Sequence, residues 1–113
     1  MTLTTEQVSE TFAALGDPTR LAIVARLAEG DATVKELAEP FAVSLPAISR
    51  HLKVLERAGL ITRGRAAQAR PSRLRVDALR EAMTWMEARR ELWEGRMNRL
   101  DQHLKTIQQE GRT

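Results

Sequence analysis

The spacing of apolar residues predicts two short helices in the first 30 residues. Val8, Phe12 and Leu15 lie at positions i, i+4 and i+7, the spacing of one helical face, so we expect a helix over residues 5–15 that ends at Gly16. A second helix should begin at an acidic N-cap followed by proline and end before a glycine. Its signals are the cap Asp17-Pro18, the apolar face Leu21, Val24, Leu27 and Ala28, and the closing Gly30.

Two more helices are predicted within residues 33–58, separated by a short turn. Thr33 and Glu36 have the spacing of a capping box, and Pro40 ends the helix that they begin. Ser44 is a suitable N-cap for the next helix, and Pro46 fits its first turn, where no amide donor is needed. Two short helices of this kind, the second seated on one apolar face, are typical of a helix-turn-helix. The predicted core-facing residues of the second helix are Leu45, Ile48, Leu52 and Leu55.

The helical period is absent from residues 60–76, which predict a β-hairpin. Residues 60–63 and 73–76 have the character of two short strands, and residues 64–72 form the tip between them. Gly59 should close the preceding helix in a left-handed conformation. The hairpin is therefore placed directly after the helix-turn-helix.

One long helix is predicted over residues 77–108, capped by Asp77. Its apolar residues alternate in steps of four and three, which is a heptad seam interrupted only by Arg90. Arg90 pairs with neighbouring glutamates across a dimer or extends outward to solvent, and the sequence leaves both open. The seam consists of Leu79, Met83, Met86, Arg90, Trp93, Met97, Leu100, Leu104 and Ile107.

Positive charge is concentrated in the middle of the chain. Residues 44–76 carry eight Lys or Arg against Glu56 alone, whereas residues 1–43 have a net charge of −4 and residues 77–113 are neutral. Such a distribution is typical of a nucleic-acid footprint, although a solvated basic face gives the same pattern.

Composition excludes several classes of protein. The absence of cysteine excludes disulfides, thiolate metal sites and a thiol nucleophile. The 113 residues suit one domain, and the sequence contains neither a signal peptide nor an apolar run of about 20 residues that would span a membrane. We therefore expect a cytoplasmic protein. No glycine-rich phosphate loop or nucleophile with a base is evident, so we also expect that it is not an enzyme and uses no cofactor.

The helix-turn-helix and its basic hairpin predict binding to double-stranded DNA. The major groove admits one α-helix, whose outward face must carry small or cationic side chains. Arginines of the hairpin should mostly contact phosphate, which positions the protein without reading sequence. His51 is either a DNA contact or a partly buried neighbour of Leu52 and Leu55. The predicted DNA-binding residues are Ser44, Pro46, Ala47, Ser49, Arg50, His51, Lys53, Arg57, Arg63, Arg65, Arg70 and Arg73.

Four segments together resemble the ArsR family of winged-helix repressors. They are Asp17-Pro18-Thr19-Arg20-Leu21, residues 34–38 (VKELA), residues 44–55 (SLPAISRHLKVL) and Ala58-Gly59-Leu60-Ile61, and the resemblance covers residues 10–105. It implies a winged helix-turn-helix, mainly α with a small β-wing, that forms a homodimer through its first and last helices. The dimer-interface residues that this implies are Val8, Phe12, Met83, Met86, Trp93, Met97, Leu100 and Leu104.

The metal sites of the family are not expected in this chain. Thr33 and Lys35 stand where metal-sensing members carry two cysteines, and neither can supply a thiolate. The last helix has only His103 with Asp101, and residues i and i+2 of a helix point about 200° apart, too far to chelate one ion. A small-molecule effector at the dimer interface, near Trp85 and Trp93, is left open.

These observations predict one winged helix-turn-helix domain over residues 1–113 that acts as a homodimeric repressor of a palindromic operator. Two-fold symmetry would place its two recognition helices about 34 Å apart on the DNA. An alternative from another class is a winged-helix module that binds a partner protein through the C-terminal helix. A tight homodimer favours the first reading, and a monomer that pairs only with another protein favours the second.

Overall fold

The computed structural model describes residues 4–64 and 71–111, and it confirms the predicted fold class of five helices with a two-stranded hairpin. Elements follow in the order α1 (Thr5–Leu15), α2 (Pro18–Leu27), α3 (Val34–Ala38), α4 (Leu45–Arg57), β1 (Ile61–Thr62), β2 (Arg73–Leu74) and α5 (Val76–Glu110). Two compact units divide the chain after Ala82, so α5 begins in the first and makes up the second.

Side-chain caps fix where the first four helices begin. The Asp17 carboxylate accepts hydrogen bonds from the amides of Thr19 and Arg20, and the Ser44 side chain accepts one from the Ala47 amide. The capping box predicted at the start of α3 is present. A second capping box, from Thr4 and the side chain of α1 residue Gln7, was not predicted. Each cap satisfies amides that the helix itself leaves unbonded.

The core of the first unit is built around the inner face of α4. Ile48, Leu52 and Leu55 are completely buried, as predicted, and they pack in one cluster with Ile23 and Leu37. Burial of each such side chain contributes about 1.5–3 kcal/mol relative to exposure. This face therefore seats α4 firmly against α2 and α3.

Three predicted core positions are wrong. Leu21 and Ala28 are exposed, because α2 is rotated so that Ile23 enters the core beside Val24 and Leu27. Leu45 is 43% exposed because it is the first residue of α4, at the edge of the core.

The end of α4 and the hairpin follow the predicted order with shorter strands. Gly59 has a φ of +76°, and the Leu60 amide donates back to the Leu55 carbonyl at 3.0 Å, which is a Schellman ending. Ile61 pairs with Leu74 in an antiparallel ladder of two residues per strand. An additional bridge joins Ala32 to the buried Ser72, which ties the return strand to the chain before α3.

The second unit, residues 83–111, is described only as helix and a final turn. Arg90 does not extend freely to solvent: it pairs with Glu87 and, at 3.7 Å, with Glu94 of its own helix. The Glu87 hydrogen bond, followed by the charge of Glu94, holds the pKa of Arg90 above its usual value. None of the helices in residues 4–64 and 71–111 is long and apolar enough to cross a membrane.

Candidate nucleic-acid interface

The outward face of α4 carries a stripe of cationic side chains. Arg50, Lys53 and Arg57 lie at positions i, i+3 and i+7, so they share one face at about 100° per residue. All three are exposed, and among the described residues none of them is in a salt bridge or a side-chain hydrogen bond. Because Ile48 and Leu55 are fully buried on the opposite side of the helix, this cationic stripe faces solvent. The arrangement suits contact with a polyanion.

Smaller residues surround the N-terminal end of the stripe. Ser44 and Pro46 are exposed, and Ala47 and Ser49 are half-buried. The Ser44 side-chain oxygen accepts from the Ala47 amide as the cap of α4, which leaves its hydroxyl hydrogen, together with backbone amides at this end, to donate to a phosphate. The roles of these four residues at DNA stay predictions.

The described wing arginines have different surroundings. Arg63 is half-buried, and its Nε atom is buried with no hydrogen-bond acceptor among the described residues. Arg73 contacts Asp31 through two of its nitrogens, each at 3.1 Å from Oδ2. This exposed ion pair ties β2 to the chain before α3, and the predicted phosphate contact of Arg73 stays a prediction. Arg65 and Arg70 lie outside the described residues.

His51 is held by residues that the sequence did not connect with it. Its ring is partly buried, and Nδ1 lies 3.2 Å from an Arg20 guanidinium nitrogen and 3.9 Å from Oδ2 of Asp17. Because the guanidinium can only donate, Nδ1 accepts and the ring proton is on Nε2. The partly buried alternative therefore describes the position of His51. A direct DNA contact by its other edge stays a prediction.

Arg20 joins three helices at this point. Its Nε donates to the Ala14 carbonyl at 2.5 Å and a terminal nitrogen donates to the Ala13 carbonyl at 3.4 Å, which satisfies the end of α1. The same guanidinium contacts His51 on α4, while Asp17 holds the backbone of Arg20 at the start of α2. Arg20 thereby links α1, α2 and α4 through one side chain, although it is absent from the predicted site.

Comparison with known proteins agrees with this geometry. A family model described as a helix-turn-helix domain matches residues 15–64. The transcriptional repressor SdpR of Bacillus subtilis (strain 168) is 37% identical over 79 residues, which are 70% of this chain and 88% of that protein. The crystal structure of an ArsR family transcriptional regulator, RHA00566, matches with a TM-score of 0.75 and 37% identity, over 83% of this chain and 97% of that one. The chain belongs to the ArsR family of transcriptional regulators. The family predicted from the sequence motifs is confirmed.

A further relative of this ArsR-family regulator is described as a homodimer. It is a winged helix-turn-helix domain, Mb0332 from Mycobacterium bovis, with a TM-score of 0.60 and 28% identity over 77% of this chain and 82% of that one. Its name makes it a DNA-binding domain and a possible ArsR-family regulator.

The predicted dimer-interface residues of the regulator fall into two groups. Val8 is 2% exposed and packs inside its own chain, so its assignment to an intersubunit surface is wrong. The buried face of α1 is rotated from the predicted one, so that Thr11 and Ala14 are buried with Val8 and Phe12 is 38% exposed. The predicted residues of α5 are all exposed, from 47% to 69%: Met83, Met86, Trp93, Met97, Leu100 and Leu104.

Replacement of Arg20 by alanine should destabilise the regulator. The change leaves a carbonyl of α1 and the His51 ring without their donor, so we expect a loss of about 1–3 kcal/mol in the free energy of unfolding. Urea denaturation measures it. Arg26→Ala is the matched control, because Arg26 lies on the same helix, where it donates to the Gly30 carbonyl and lies 3.9 Å from Glu36. Equal losses in the two variants would contradict the role given to Arg20.

Protonation of Asp17 should lower the stability of the folded regulator at acid pH. The hydrogen bond from the Arg20 amide, helped by the charge of Arg20 and the hydrogen bond from the Thr19 amide, lowers the pKa of this carboxyl. Because the pKa of Asp17 is lowered in the folded protein, the stability contributed by its ionised carboxylate is complete above the ordinary pKa of about 3.9. This stability is lost as the pH falls through the lower, folded-state pKa. The stability gap between wild type and Asp17→Asn should therefore narrow below about pH 4. Denaturant titrations between pH 3 and pH 7 measure this, with the exposed Glu29→Gln as control; a gap that is independent of pH would contradict it.

Proposed function

We propose that this ArsR-family regulator binds duplex DNA as a homodimer and represses transcription from a roughly palindromic operator. The observation that carries the proposal is the cationic stripe of α4, which is exposed and free of ion pairs among the described residues. With 13 residues, α4 is about 20 Å long, and an α-helix is narrow enough to fit a major groove about 12 Å wide.

The helix-turn-helix and the wing have different roles in the proposed interface. The helix-turn-helix of residues 33–58 enters the groove, with Arg50, Lys53 and Arg57 contacting bases or phosphates. The wing of residues 60–76 extends the contact along the backbone through Arg63 and, as predicted from the sequence, through the tip arginines. Free cations of this kind supply the salt-dependent part of the affinity. Arg73, whose side chain is 73% exposed, can contribute as well, although Asp31 competes with phosphate for it.

The dimer is proposed from the exposed apolar side of α5. Large apolar side chains recur every three or four residues from Met83 to Ile107, interrupted only by Arg90, and all are about half exposed or more. Such a seam is stabilised by burial against an equivalent seam, and the homodimeric Mb0332 supports a second copy as the partner. A two-fold dimer places its recognition helices about 34 Å apart and requires two half-sites one helical turn from each other. The segment of residues 77–108 is thereby assigned to dimerisation within a single domain over residues 1–113.

Regulation of this kind needs neither a catalytic group nor a cofactor, and we assign none to the chain. DNA binding alone changes the access of polymerase to a promoter. We place the protein in the cytoplasm, with the DNA that it regulates.

The proposal is tested by selection of DNA from a random duplex library, followed by binding titrations at several salt concentrations. The selected sequences should share two inverted half-sites centred about 10 base pairs apart. The logarithm of the binding constant should fall with the logarithm of salt concentration, with a slope near −0.9 for each phosphate contacted. A flat salt dependence, or no enrichment at about 50 mM salt, would contradict it. A chain that sediments as a monomer would favour the protein-interaction module instead.

A further inference from the structure

A cavity of about 340 Å³ lies between the two helices of the helix-turn-helix. It is lined by Val34 and Lys35 from α3 and by Leu45, Pro46 and Ser49 from α4. The three residues from α4 are the first, second and fifth of that helix. The cavity therefore lies at the N-terminal end of α4, the end that contacts base edges in helix-turn-helix proteins.

Leu45 is the unusual residue of this cavity. It continues the series of Ile48, Leu52 and Leu55, which are fully buried, yet Leu45 itself is 43% exposed. The neighbouring Pro46 is also exposed, and neither side chain can donate or accept a hydrogen bond. Exposure of a large apolar side chain forgoes about 25 cal/mol for each Å² left in water. This apolar spot is therefore available to gain free energy when a partner covers it.

The chemistry of the major groove offers one feature that suits such a spot. Base edges present hydrogen-bond donors, acceptors and a single apolar group, the 5-methyl of thymine. Lys35, an exposed cation of α3, also lines the cavity and can meet a phosphate at the edge of the groove. The Ser49 hydroxyl lines the same cavity and can donate to O4, the thymine atom beside the methyl group.

We propose that Leu45 and Pro46 are specificity-determining residues, which contact the 5-methyl group of a thymine in each operator half-site. The inference rests on the proposed function, because it needs α4 in the major groove. It assigns sequence reading at this position to apolar contact, with Ser49 supplying the polar contact to the same base. A thymine at one fixed place in both half-sites follows from it.

The experiment replaces each thymine of the selected operator by deoxyuridine, which removes only the methyl group. At one position per half-site, each single replacement should weaken binding by wild-type protein about fourfold, the equivalent of about 0.8 kcal/mol for one buried methyl group. Deoxyuridine at the other positions should change binding much less. In Leu45→Ala, the preference for thymine over deoxyuridine at that position should disappear, while binding of random duplex DNA stays as in wild type.

Val43→Ala is the matched control, because Val43 is 40% exposed just before α4 and does not line the cavity. It should keep the full preference for thymine. A wild-type protein that binds its operator with the expected salt dependence, but is indifferent to deoxyuridine at every position, overturns this inference and leaves the proposed function standing. A Leu45→Ala protein that keeps the preference also overturns it. Absence of DNA binding altogether overturns both.

Discussion

Simultaneous replacement of Arg50, Lys53 and Arg57 by alanine should abolish specific binding to the operator at about 150 mM salt. The slope of the logarithm of the binding constant against the logarithm of salt concentration becomes shallower by about 0.9 for each phosphate contact that is lost. A dimer that loses six contacts should therefore have a slope shallower by about 5. Since the three side chains are exposed, and unpaired among the described residues, the free energy of unfolding should change by no more than about 0.5 kcal/mol for each substitution. Fluorescence anisotropy with labelled operator, from 50 to 300 mM salt, measures the effect.

A matched set of three charges on α5 separates local contact from net charge. Arg96, Arg99 and Lys105 are exposed, and their replacement by alanine removes the same charge far along the sequence from α4. This control should lower affinity only slightly. Equal losses in the two triple variants would show that the stripe acts through overall charge alone. Within the stripe, Arg50→Ala should weaken specific binding by about 1–3 kcal/mol if it reads a base, and should weaken specific and random DNA alike if it meets phosphate.

Replacement of Leu100 by glutamate should convert the regulator to a monomer. Leu100 is half exposed in the single chain and lies between Met97 and Leu104 in the α5 seam, so a dimer would bury the new carboxylate among apolar side chains. The monomer would hold only one half-site, and the gain of about 10²–10⁴ from binding two linked sites would be lost. Sedimentation velocity reports the mass, and titration of the whole operator reports the affinity.

Gln102→Glu is the control for the seam, since it adds the same charge two residues further along α5. A step of two residues turns the side chain by about 200°, away from the apolar side of the helix. This variant should remain a dimer with wild-type affinity. A monomeric Gln102→Glu, or a dimeric Leu100→Glu with unchanged affinity, would contradict the assignment of the seam to dimerisation.

Local signals in the sequence are enough to place most elements of the fold. Ser44 marks the start of α4 through its side chain, and Gly59 marks its end because the backbone there needs a positive φ. Both depend on residues within a turn of each other, as do the caps of α2 and α3. The outward cations of α4 follow from the same helical period, once Ile48, Leu52 and Leu55 are assigned to the core.

Features that depend on distant partners are not contained in these local patterns. The apolar period of α2 fits a face through Leu21 as well as one through Ile23, and only packing with other helices decides between them. Arg73 is indistinguishable from the other wing arginines until Asp31, 42 positions earlier, is found beside it. Contact between Arg20 and His51 spans 31 positions for the same reason.

The most direct test of the proposed DNA-binding face uses the fact that the chain contains no cysteine. A single cysteine at Lys53 can carry an iron-EDTA group, which cleaves DNA close to the point of attachment. We expect cleavage in the major groove of both half-sites, centred about one helical turn apart, with little cleavage from the same group at Gln102. Cleavage from Gln102 that equals or exceeds that from Lys53, or operator binding with no cleavage from Lys53, would contradict the placement of α4 in the groove.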